Sequence, residues 1–138
     1  MKRTVFFMML VLSLALTACG GSASSPTTKI DVTMTDFQFS PNQFTVPAGQ
    51  EITLNASNNG GVIHNFVIMQ KGTSAGTEFT DEDLPNVYWQ VEVAPGGSTK
   101  TSFVAPPDPG EYEVVCKTPG HVQAGMIAKL VVVANDQK

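Results

Sequence analysis

From Ile30 onward, apolar and polar residues alternate with a period of two rather than 3.6, and that alternation commits the chain to half-buried β-strands. The pattern covers Ile30, Val32 and Met34 and continues through Phe37 and Phe39 after a bulge or turn. It returns in Phe44–Val46, Glu51–Ala56, Val62–Met69, Val87–Val93, Ser98–Val104, Glu111–Cys116 and Met126–Val133. Between these runs stand Pro41-Asn42, Pro47-Ala48-Gly49, Asn58-Asn59-Gly60-Gly61, Ala94-Pro95-Gly96-Gly97 and the corner Pro106 to Gly110, all of turn composition. Seven to eight short strands at near-regular spacing predict an all-β, Greek-key sandwich or barrel. One stretch, Gln70 to Asn86, loses the period and reads as a long excursion with one helical turn near Thr80 to Leu84, capped by Thr80.

The start of the chain follows different rules. Met1-Lys2-Arg3 is a short basic segment, and Val5 to Leu16 is an almost unbroken apolar run. Thr4 to Ala18 is 15 residues long, short of the roughly 20 that a spanning helix needs. The pattern is that of an export signal over residues 1–18. The small residues before Cys19 resemble the bacterial lipoprotein processing box, which implies lipid attachment at Cys19. Residues 19–29, rich in Gly, Ser and Thr, read as a flexible tether, with the folded domain over 30–138. The expected location is outside the cytoplasm, in the periplasm or on the outer face of the cytoplasmic membrane.

Charge narrows the partners. The chain has a formal net charge of −4. Without Lys2 and Arg3 it keeps six Lys and no Arg against twelve Asp and Glu. Nucleic-acid binding, which needs a basic footprint, is excluded as an expectation. An acidic monomer steered to a basic protein partner is compatible with this balance.

Of two cysteines, one sits in the processing site, so the folded domain has a single thiol, Cys116, and no internal disulfide. It opens the segment Cys116-Lys117-Thr118-Pro119-Gly120-His121-Val122-Gln123-Ala124-Gly125-Met126, with the spacing C-x4-H-x4-M in a loop between two strands. The only other histidine, His64, follows a Gly-rich turn and begins a strand that a sandwich can place beside Cys116. Singly, each has an ordinary explanation. His64 could be a satisfied polar residue, Cys116 a small core hydrophobe, and Met126 core packing, as expected for Met34 and Met69. Together, a thiolate, two imidazoles and a thioether form a soft mixed donor set. Cys-His-His with a weak axial Met is the pattern of blue-copper electron-transfer sites and calls for one copper ion cycling between Cu(I) and Cu(II).

With these residues in view, the sequence over Ile30 to Ala134 resembles the cupredoxins, with a loop similar to those of auracyanin and azurin. Ile63-His64-Asn65-Phe66 resembles the family's His-Asn segment, and Cys116 to His121 its Cys-x-x-Pro-Gly-His turn. The resemblance implies copper bound by Nδ1 of His64 and His121, by the Cys116 thiolate and by Met126. It further implies backbone N–H groups of Asn65 and Thr118 directed at the Cys116 sulfur, and an Asn65 side chain that pins the two ligand segments together. Azurin-like proteins carry Thr or Ser directly after the Cys. Lys117 stands there in this chain, so the side-chain partner of Asn65 is expected to be missing or replaced by backbone. The bulk of Ile63 argues against its carbonyl as an extra axial ligand.

Pro119, Gly120, Val122, Ala124 and Gly125 are small or apolar, and are expected to form an exposed rim through which electrons enter and leave at His121. Trp89 and the Phe residues are expected in the core, and the acidic run Glu78 to Asp83 in a solvated loop. The expected function is an electron carrier between a redox donor and an acceptor at a membrane. A copper store would call for Met-rich or His-rich runs, which the chain lacks. A thiol enzyme built on Cys116 and His121 would lack an orienting group and leave Met126 without a role.

Overall fold

A computed structural model describes residues 25–135. The expected export signal, Cys19 and most of the tether lie outside the described residues. Among the described residues nine strands follow in order: β1 (Lys29–Thr35), β2 (Gln38–Ser40), β3 (Gln43–Pro47), β4 (Glu51–Asn58), β5 (His64–Met69), β6 (Val87–Val93), β7 (Ser98–Val104), β8 (Gly110–Val115) and β9 (Ile127–Val133). They form a four-stranded sheet, β2-β1-β4-β7, and a five-stranded sheet, β3-β9-β8-β5-β6. The all-β sandwich expected from the alternation is thus observed, with one strand more than anticipated. The extra strand arises because Phe37 adopts φ 72°, so the chain reverses there and β2 pairs antiparallel with β1 instead of prolonging it.

The fold also begins before Ile30. The Thr27 N–H donates to the Thr45 carbonyl at 3.0 Å, and the Thr53 N–H donates to the Thr28 carbonyl at 2.9 Å. Both bonds tie the end of the expected tether to the sandwich.

Two pairings are parallel, β1 with β4 and β3 with β9; the remaining ladders are antiparallel. Because alternate side chains point to opposite faces, each sheet sends one set inward. Ile30, Val32, Met34, Ile52 and Leu54 from one sheet meet Phe44, Phe66, Val114 and Leu130 from the other in a single core. Phe66 sits at its centre, edge-on to Phe39 at 5.8 Å and to Phe44 at 5.5 Å between ring centroids.

β5 departs from the alternation, since all six of its residues are buried. The excursion explains this. Ala75 and Phe79 of the excursion pack over Val67 and Met69 on the outer face of the five-stranded sheet, where Val87 of β6 lies beside them. The Glu113 carboxylate on β8 holds the excursion down by accepting from the Ala75 N–H at 2.9 Å and the Ser74 hydroxyl at 3.0 Å. The helical turn is present as a 3-10 helix, Asp81–Asn86, with Thr80 as its N-cap. The Asp83 carboxylate accepts from the Thr80 N–H at 2.7 Å.

Candidate metal centre

β5 and β8 are neighbours in the five-stranded sheet, with Val67 opposite Val115. That register carries His64, the first residue of β5, to the end where β8 runs out into Cys116. The chain then leaves the sheet, turns through 117–125 and re-enters as β9. The loop is closed at its base by the Cys116 N–H donating to the Met126 carbonyl at 3.3 Å, and by the Met126 N–H donating to the His121 carbonyl at 2.9 Å. Inside it the His121 N–H donates to the Thr118 carbonyl at 3.0 Å, so His121 folds back towards Cys116.

Three donor atoms converge. The Cys116 sulfur lies 3.7 Å from Nδ1 of His64 and 3.4 Å from Nδ1 of His121, and the ligand atoms of the three residues lie within 4.8 Å of one another. Met126, wholly buried, belongs to the same core as Cys116. His64, Cys116 and Met126 are each 0% exposed, and His121 is 5% exposed. The set is therefore a thiol and two imidazoles in contact, at the end of an apolar core and shielded from water. A soft, one-electron metal suits such donors, and His-His-Cys with Met is the ligand chemistry of blue copper. Burial holds the His121 imidazole below the ordinary histidine range. His64 beside it acts in the same direction, and the carboxylate of Asp36 opposes both.

The surroundings bear on the other expectations. The Asn65 N–H donates to the Cys116 sulfur at 3.4 Å, as the resemblance implied. The expected loss of a side-chain partner for Asn65 is corrected. Thr118, one residue beyond Lys117, donates its hydroxyl to the Ile63 carbonyl at 2.7 Å and lies 3.4 Å from Oδ1 of Asn65. The Asn65 amide in turn donates to Glu92 at 3.1 Å, its register partner on β6. Lys117 turns away and donates to Gln90 at 2.9 Å.

The expected rim needs a second correction. Pro119, Gly120, Ala124 and Gly125 are exposed, but Val122 is buried against Val67, Met69, Ala75 and Val115. It fastens the ligand loop to the covered face of β5. Phe37, placed in the core by its hydrophobicity, is instead 51% exposed. It stands edge-on to His121, with ring centroids 5.2 Å apart and planes at 78°. Trp89 is only partly buried and stacks on Phe103 at 4.8 Å.

Sequence reasoning missed Asp36 and Glu92. Glu92 could have been found by pairing the strands around the excursion as a hairpin, which sets it opposite Asn65. Nothing in the sequence ties Asp36 to His64.

The comparisons agree with the geometry. The family described as "Cupredoxin-like domain" matches residues 6–132. Auracyanin-A of Chloroflexus aurantiacus is 28% identical, with 96% of this chain and 97% of that protein covered. The copper-resistant cuproprotein CopI of Rubrivivax gelatinosus is 31% identical over 81% of this chain and 70% of its own length. Among solved structures, the dithionite-reduced auracyanin of Roseiflexus castenholzii superposes with a TM-score of 0.68 at 29% identity, covering 79% of this chain and 99% of that one.

Proposed function

The chain belongs to the cupredoxin-like family, and from that premise we propose that it carries single electrons between membrane-associated redox proteins. One observation supports this above the others: the Cys116 sulfur meets Nδ1 of both histidines in a water-shielded pocket. In this reading His64, Cys116 and His121 hold one copper ion, with Met126 as its axial ligand, and the ion supplies a Cu(I)/Cu(II) couple. The residues of the chain do the rest. The covered strand β5 and the closed loop hold the donors in one arrangement. The Asn65 N–H donates to the sulfur and moderates its electron density. Thr118 ties the Cys116 loop to the His64 segment.

His121 is the one member of the set with any surface exposure, and it is the proposed edge for exchange with partners. Pro119, Gly120, Ala124 and Gly125, joined by Phe37, form the apolar rim that lets a partner approach closely and exclude water. The partner is proposed to be a redox protein, and the carrier itself a monomer rather than an enzyme. Export followed by lipid attachment at Cys19 would keep it at the outer face of the cytoplasmic membrane. This rests on the sequence pattern of residues 1–19. Among the described residues no helix is long and apolar enough to cross a membrane.

The test is optical. Copper-loaded protein is expected to show an intense visible band that bleaches with reductant and is absent from Cys116→Ser. A colourless copper complex, or colour that survives that substitution, would refute the proposal. The likeness to a copper-resistant cuproprotein favours a second reading, in which the chain stores or delivers copper. Rapid loss of copper to a chelator together with slow electron exchange would select it.

A further inference from the structure

The sheet that contributes no sulfur or imidazole to the centre contributes a carboxylate. β1 ends at Thr35 and β2 begins at Gln38, so the whole connection is Asp36-Phe37. Phe37 turns the chain in the left-handed region, at φ 72°, a conformation disfavoured for a residue with a Cβ and kept where the surroundings enforce it. The turn projects Asp36 across the end of the sandwich. Its Oδ1 lies 3.2 Å from Nε2 of His64, while its two oxygens lie 3.2 and 3.3 Å from the Gly61 nitrogen.

The glycine turn before His64 is shaped around this pair. A Cβ on Gly60 would overlap both Nε2 of His64 and Oδ1 of Asp36. The turn has no freedom to move aside, because the buried Asn58 side chain accepts from the Gly60 N–H at 2.8 Å and donates to the Val62 and Val93 carbonyls at 2.8 and 2.9 Å. A missing side chain at position 60 is thus what lets the carboxylate reach the ring.

We propose that Asp36 is a positioning residue of the metal centre: its carboxylate fixes the His64 ring with the proton on Nε2 and biases the site towards the higher-charged Cu(II) state. A carboxylate can only accept in such a contact, so Nε2 supplies the hydrogen. Nδ1, on the side of Cys116, keeps its lone pair for the metal. A ligating imidazole whose other N–H meets a carboxylate is held in orientation and is a stronger donor, which favours the more positive ion. This inference rests on His64 being a ligand, as proposed above.

The experiment compares Asp36→Asn, which keeps an acceptor oxygen but removes the charge, with Gly60→Ala, which leaves the charge and wedges a methyl group between the partners. Asp36→Asn is expected to stay folded and blue; Gly60→Ala, whose methyl meets the His64 ring as well as Asp36, is expected to stay folded with the ring shifted. In both, Cu(II) affinity relative to Cu(I) should fall by about tenfold or more, which raises the reduction potential by about 59 mV per tenfold. A second readout needs no metal: nitrogen NMR of the His64 ring in copper-free protein should show Nε2 protonated in the parent and a mixture of tautomers in Asp36→Ala. Unchanged potentials in both variants, or an unchanged ring signal in Asp36→Ala, would overturn the role of Asp36 and leave it as a cap on the Gly61 N–H. If the parent chain shows no blue band, the electron-carrier reading fails by itself, and the ring signal still decides whether Asp36 sets the proton.

Discussion

The two sheets are written in the same alternating code, yet they end in different environments. Along β4 in the four-stranded sheet, inward residues such as Ile52 and Leu54 are buried, and the residues between them, Thr53, Asn55 and Ser57, stay partly open to solvent. Along β5 in the five-stranded sheet nothing is open. The difference is an added layer: Ala75 and Phe79 of the excursion cover β5 from outside, and Val122 of the ligand loop joins them. The strand that bears His64 is thus clamped from both faces, whereas β4 is covered on one face only. Ligands on a strand buried on both faces have little room to move, because close-packed interiors resist displacement. The donor strand is therefore held from outside the sandwich as well as by the core.

Substitutions can break or sharpen this contrast. The largest effect is expected at the centre shared by both sheets. Phe66→Ala should cost about 3–5 kcal/mol in chemical denaturation, and a cost under about 1 kcal/mol would mean that the core is not organised around that ring. Next come the outward-facing positions. Met69→Ala on β5 should cost about 2–5 kcal/mol, while Thr53→Ala on β4 should stay within about 0.5 kcal/mol. Equal losses at the two sites would show that the outer layer adds nothing. Thr118→Val keeps the shape of the side chain but removes the hydroxyl that reaches the Ile63 carbonyl. It should cost about 1 kcal/mol and speed copper release, and a copper off-rate equal to that of the parent would show that this tie is dispensable.

The smallest effect belongs to the open sheet and is a matter of pH. Asp31 on β1 accepts from Lys29 at 2.9 Å and from the Asn55 amide at 2.7 Å, and these bonds, that to Lys29 first, lower its carboxyl below the ordinary value of 3.8. A carboxyl lowered on folding stabilises the native state above its unfolded pKa. That contribution disappears as the pH falls through the lower native value. Asp31→Asn should therefore leave stability at neutral pH almost unchanged and slightly flatten its decline below about pH 4. A large loss at pH 7 would contradict the solvent-exposed placement of this ion pair.

Much of the site is legible in the amino-acid sequence. The C-x4-H-x4-M spacing, the lone thiol of the domain and a histidine at a strand start identify four residues. Three of them present donor atoms within 4.8 Å of one another, and the fourth is buried in the same core. Less legible are the residues that act across elements. Thr118 reads as a backbone contributor, yet its hydroxyl makes the tie that Lys117 cannot supply. Val122 reads as rim in a loop of small residues, and it is buried because the excursion happens to lie above it. Phe37 reads as core, but its positive φ turns it outward onto His121.

The sequence by itself determined most of the strands and their inward faces, and the Cys116, His121 and Met126 part of the donor set, because these depend on a period of two and on spacings within about ten residues, which the local backbone enforces. His64, 52 positions from Cys116, meets it only through the pairing of β5 with β8. Tertiary structure alone decided which outer face was covered, which hydroxyl bridged the two ligand segments, and that a carboxylate 28 positions before His64 would meet its ring. Those contacts join segments far apart in the chain. They are chosen by how whole elements stack and register, and no short pattern encodes that choice.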